Sequence, residues 1–199
     1  MERIMGVLAL KAPTYREIAD DPNATQPAGI IVVIVALIGG FVAGLVRTDP
    51  NNPQQLLSPN IVYAIVAALV TVLFALIAWF ITAWILAFVA RWFGGKTNTK
   101  EMLRVTGYVE IFAIVSVISL IAFISPTLLC LGAFIGLIVG ILRLIGYIVG
   151  IREAAEFSTG NAIITAIVAA IVNFLVYLAA ASVIAIVAGF VLSMTGGNS

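Results

Sequence analysis

Five stretches of nearly unbroken apolar residues divide the chain, separated by polar connectors of unequal length. They run from Ala28 to Val46, Ile61 to Ala90, Val109 to Ile124, Leu128 to Val149 and Ala162 to Met194. None alternates with a period of two, as barrel strands do. Runs this continuous predict α-helices, which satisfy their own backbone groups inside lipid. The first is close to the length of about 20 residues that an upright crossing needs. The second would be roughly 45 Å long at 1.5 Å per residue, so it must tilt or project into water. The expected fold is an all-α membrane protein. Residues 28–199 form a five-transmembrane-helix bundle, and residues 1–27 form a tail with a short amphipathic interfacial helix.

Composition makes lipid the required solvent. Hydrophobic residues are 63% of the 199 positions, charged residues 10%, and the mean hydropathy is +1.21. Too few polar groups remain to cover a water-facing surface, since soluble chains carry about a quarter charged residues. The tail does not read as a signal peptide: its apolar run is short and is followed by Lys11, Pro13 and Asp20-Asp21. Ile4, Leu8 and Ala12 share a helical face, with Arg3 and Lys11 placed for lipid phosphates, which suits a helix lying on the inner leaflet.

The net charge of +1 says little, but its distribution says more. Arg3, Lys11, Arg16, Arg91, Lys96, Lys100, Arg104 and Arg152 fall in one set of alternate compartments, against Arg47 alone in the other. Eight against one places the N-terminus in the cytoplasm and the C-terminus outside. Arg143 stands apart, inside the fourth segment. It lies roughly 9 Å from the inner end at 1.5 Å per residue. Three roles suit it: an anchor that snorkels to the interface, a partly buried ion pair with Glu110, or part of a ligand or ion site. Tyr147, one turn further on, shares its helix face.

Lipid tails are as apolar as leucine, so helices associate through close fit, and small residues permit it. Gly40 and Gly44 mark such a stripe on the first segment, and Gly132, Gly136 and Gly140, then Gly146 and Gly150, on the fourth. An unused stripe would suit a homo-oligomer or a membrane-protein partner. Asn173 is the amide inside the fifth segment and calls for an interhelical polar contact. Trp79, Trp84 and Trp92 fit an interfacial aromatic belt.

Catalytic chemistry finds little to work with. There is no histidine and one cysteine, Cys130. Zinc and iron sites of the usual kinds need more than that, and no phosphate-cradling glycine loop or nucleophile elbow occurs. No catalytic residue, metal site, cofactor or nucleic-acid partner is therefore expected; the bilayer, including its anionic lipids, is the expected partner. Glu153 and Glu156 read as a solvated cap before the last helix.

Three stretches resemble the Yip1 domain family: "LKAPTYREIADDP" before the first span, "RVTGYVEIF" entering the third, and "IGYIVGIREAAEFSTGNAI" joining the last two. Gly107, Tyr108, Gly150, Arg152, Ser158 and Ala162 are the motif positions. Glu110, Ile111 and Phe112 follow Gly107-Tyr108 where members often carry a proline. The resemblance implies five spans and a cytoplasmic N-terminus. In eukaryotic members it implies a link to Rab GTPases and vesicle traffic between endoplasmic reticulum and Golgi, served by long N-termini. The 27 residues before the first span resemble the prokaryotic branch, which implies a plasma-membrane location. The function expected is a membrane scaffold or membrane-organising component. Two rivals are a transporter or channel subunit using Asn173, Glu110 and Arg143, and an adaptor binding a cytosolic protein or anionic lipid through the basic loops.

Overall fold

The computed structural model describes residues 2–45, 47–49, 52–114 and 129–195, with side chains described outside 48–56, 129–133 and several positions beyond 172. Two short helices open the chain, α1 (Glu2–Leu8) and α2 (Ala12–Asp20), followed by a 3-10 turn at Pro22–Ala24. Then come α3 (Thr25–Leu45), a small antiparallel hairpin of β1 (Thr48–Asp49) and β2 (Asn52–Leu56), and α4 (Ile61–Trp92). The helices α5 (Thr99–Val109), α6 (Leu129–Ala155) and α7 (Thr159–Thr195) complete it. Among the described residues, Pro22–Leu45, Ile61–Trp92 and Phe134–Ala155 are long and apolar enough to cross a membrane, and Thr159–Val172 of α7 is a shorter apolar stretch.

The long helices are apolar all round and leave ranks of large side chains facing outward, including Ile30, Leu69, Leu73, Phe80 and Leu137. Apolar positions on every face mark helices that lie in lipid or in a core. Within this frame α3 and α4 approach most closely. A Cβ on Gly40 would stand 2.8 Å from the Cα of Ala68, and one on Gly44 would stand 2.5 Å from the Cα of Ala64. Backbone meets backbone there, which only glycine allows.

Among the described residues, the stripe expected on the fourth segment has neighbours only in its second part. No described atom lies within 4 Å of a Cβ built on Gly136 or Gly140. Instead α6 packs through its second pair of glycines. Gly146 faces Phe112 and the Tyr15 hydroxyl, and Gly150 faces Val105 and the Tyr15 ring. Gly132 lies outside the residues whose side chains are described.

The third segment differs more. Its expected start, Val109, is the last residue of a helix that began at Thr99, and residues 110–114 form a 3-10 turn. The remainder of the segment, 115–124, and the expected loop after it lie outside the described residues. What had read as a basic loop is the helix α5, buried from Met102 through Val109. Asn98 starts it: its side chain accepts from the backbone N–H of Lys100 and Glu101, while Glu101 accepts from the Asn98 N–H. This reciprocal box satisfies N–H groups that a helix start leaves orphaned.

The tail packs onto the bundle. α1 and α2 form a hairpin seated against α5 and α6. Val7, Tyr15, Ile18 and Ala19 are fully or almost fully buried there. Burying a side chain such as Ile18 contributes about 1.5–3 kcal/mol in water, more than the hairpin would gain from one exposed ion pair. Arg3, expected at lipid phosphates, instead bonds Glu17 and Asp21.

Candidate functional site

Helices α1, α2 and α5, the end of α4 and the α6–α7 turn converge into a polar cap at one end of the bundle. Long-range bonds brace it. The N–H of Lys96 donates to Ala155 O at 2.9 Å, tying the α4–α5 connector to the end of α6. Gly94, at φ +78°, lets the chain leave α4 in the left-handed turn that this tie requires. Asn161 Nδ2 reaches Phe93 O at 3.4 Å.

Arg16 is the central brace. Its Nη1 donates to Glu153 O at 3.0 Å, its Nη2 to Glu156 Oε1 and its Nε to Asp20 Oδ2. A cation at the C-terminal carbonyls of α6 is also favoured by the helix dipole. Hydrogen bonding to Glu156 and Asp20 holds the Arg16 guanidinium even more firmly protonated. Glu153 and Glu156 are thus engaged by Arg152 and Arg16 rather than left as a solvated cap. Beside them, Tyr15 donates to Val7 O at 3.0 Å, and burial pushes its phenol pKa up. Asp21 is held below its usual range, first by the Asn23 N–H and then by Arg3.

Arg104, counted from the sequence among solvated loop charges, is 8% exposed. Nη1 donates to Ala19 O at 2.6 Å and Nε to Thr25 Oγ1 at 3.0 Å, locking α5 to the end of α2 and the start of α3. Trp79, expected in an aromatic belt, instead bonds α5. Its Nε1 donates to Leu103 O at 3.0 Å and to Thr106 Oγ1 at 3.1 Å. Trp84 and Trp92 do face outward, joined through Phe88, which stacks on Trp84 and meets Trp92 at a tilt.

Where the cap meets the bundle, three groups marked in the sequence come together. Arg143 Nη2 donates to both oxygens of Glu110, at 2.7 and 2.5 Å. The Tyr147 hydroxyl donates to Glu110 Oε1 at 2.6 Å, and the guanidinium carbon of Arg143 sits 5.7 Å from the centre of the Tyr147 ring. Glu110 occupies the residue after α5, and the two donors lie one turn apart on α6. The carboxylate therefore links the two elements. The side chain of Asn173 lies outside the described residues. Among the described residues, no group of three His, Cys, Asp or Glu side chains could hold a metal ion.

The family motif maps onto the same cap. A Cβ on Gly107 would stand 2.8 Å from the Ala28 Cβ and 3.0 Å from Trp79, while Tyr108 is buried beside it. Ser158 accepts from the Asn161 N–H at the start of α7, and Ala162 is fully buried. The profile of the Yip1 domain family matches residues 5–181. The chain belongs to the Yip1 domain family. No curated protein and no solved structure matches it. Family membership and the long apolar helices together make this Yip1 domain protein an integral membrane protein. Sequence reading missed the roles of Arg104 and Trp79. Asn98 and Glu101 at capping-box spacing were the available signal that α5 is a helix, and hence that Arg104 sits within a packed element.

Proposed function

We propose that this Yip1 domain protein is a non-enzymatic, membrane-organising scaffold of the trafficking type. Its N-terminus and cap lie in the cytoplasm and its C-terminus outside, in a prokaryotic plasma membrane or, in a eukaryote, the endoplasmic reticulum or Golgi. One observation carries the reading: Arg16 joins the tail to the α6–α7 turn, a partner 140 residues further along the chain. The connectors therefore form one braced body above the bilayer. A rigid polar body on a lipid-facing bundle suits holding membrane or partners in a fixed geometry. Reconstitution at increasing protein density should narrow the radius of liposomes seen by electron cryomicroscopy, and Arg16→Ala should weaken the effect. Vesicles of unchanged radius at every density overturn the reading.

A second reading is favoured by the convergence of Arg143 and Tyr147 on Glu110, which would make the chain a transporter or channel subunit. Solute or ion flux in proteoliposomes that is lost in Asn173→Leu and Glu110→Gln would select it.

A further inference from the structure

We propose that a groove between the start of α5 and the outer face of α4 is a binding site for the phosphate headgroup of an anionic phospholipid. The groove has a volume of about 560 Å³ and is lined by Lys100, Arg104, Thr25, Thr99, Phe80 and Trp84, among others. Ligand sites commonly measure about 300–1,000 Å³, which suits a headgroup with the root of its chains.

Its charge is one-sided. Two cations and two hydroxyl groups line it, and no carboxylate does. The nearest acids are occupied elsewhere: Asp21 by Arg3 and the Asn23 N–H, and Glu101 by the capping box. The groove between α1 and α3 offers a contrast, because Glu2 and Glu17 line it beside Arg3 and Lys11. Arg104 is the decisive group. It is more than nine-tenths buried, and Nε and Nη1 are spent on Thr25 and Ala19. Among the described residues, Nη2 has no hydrogen-bond partner. Its hydrogen bonds go to neutral oxygens, with Asp21 acting on it through charge alone, so a phosphate oxygen at Nη2 would add the charge-assisted bond that it lacks. Lys100 is exposed at the rim and adds a mobile point charge.

The aromatic side decides for lipid over free phosphate. Phe80 and Trp84 are 56% and 54% exposed on the outer face of an apolar helix. A dissolved anion has no use for them, whereas acyl chains entering the leaflet beside a headgroup would lie against them.

The test uses full-length protein in detergent, with lipid retention read by native mass spectrometry. Dioleoylphosphatidylglycerol should be retained in preference to dioleoylphosphatidylcholine, one molecule per chain. Lys100→Ala should lower that preference about tenfold, the equivalent of one charge-assisted contact, while Trp84→Ala should lower retention of both lipids and leave the preference between them unchanged. Both positions are exposed, so helix content and monodispersity should match the wild type. Lys96→Ala, at an exposed position outside the groove lining, should change nothing. Equal retention of the two lipids overturns the proposal. So does equal loss with Lys96→Ala, which would mean diffuse attraction, or displacement of the lipid by millimolar inorganic phosphate without dependence on Trp84.

Discussion

A methyl of Val105, Cγ1, occupies the place where a side chain at Gly150 would begin. The contact joins α5 to α6 in the middle of the cap, with the Tyr15 ring closing the third side. Gly150→Ala should therefore destabilise the protein by about 1–3 kcal/mol through overpacking. Val105→Ala in the same chain should recover most of the loss. Thermal unfolding in detergent, followed by helix content, measures both.

The Glu110–Arg143 pair makes a different prediction. Removing one partner strands a partly buried charge, so Arg143→Leu alone should cost about 1–3 kcal/mol, less than the full value for a buried pair because Arg143 retains some exposure. Glu110→Leu with Arg143→Leu should cost less than either single change. A double-mutant cycle on unfolding midpoints in nanodiscs would show the coupling.

Trp79 holds α5 through a donor as well as through its bulk. Trp79→Phe keeps most of the ring and loses both bonds to Leu103 and Thr106, so it should cost about 1–2 kcal/mol. Hydrogen exchange at α5 amides should quicken in the variant while α4 amides above Trp79 stay protected.

Low pH should loosen the tail first. The folded pKa of Asp21 is depressed, so its stabilising contribution is complete above the ordinary aspartate value of about 3.9 and is lost as pH falls through the folded value. Proteolysis near residues 8–12 should rise over that acid range. Asp21→Asn should show faster cleavage already at neutral pH and a flatter acid response.

The long helices were legible because lipid-facing segments need only be continuous and apolar, and Ile61–Trp92 begins where its sequence becomes so. The Glu110–Arg143 contact was one of three roles that the sequence left open, because a charge inside such a run can also snorkel to the interface or serve a ligand. The cap was not legible. Its helices owe their positions to bonds such as Arg104 to Ala19 and Lys96 to Ala155, made between residues far apart in sequence. Local pattern carries no trace of such partners. The glycines show the same divide: a stripe marks where approach is allowed, but only a neighbour decides that Gly146 and Gly150 are used while Gly136 and Gly140 meet nothing described.

Arg16 is made early and its acceptors Glu153 and Glu156 are made late. During synthesis the leading hairpin therefore emerges from the ribosome long before its seat exists, and must wait through the insertion of several helices with Tyr15 and Ile18 uncovered. The α6–α7 turn closes over the α1–α2 hairpin, so assembly of the cap reports that synthesis has passed Glu156.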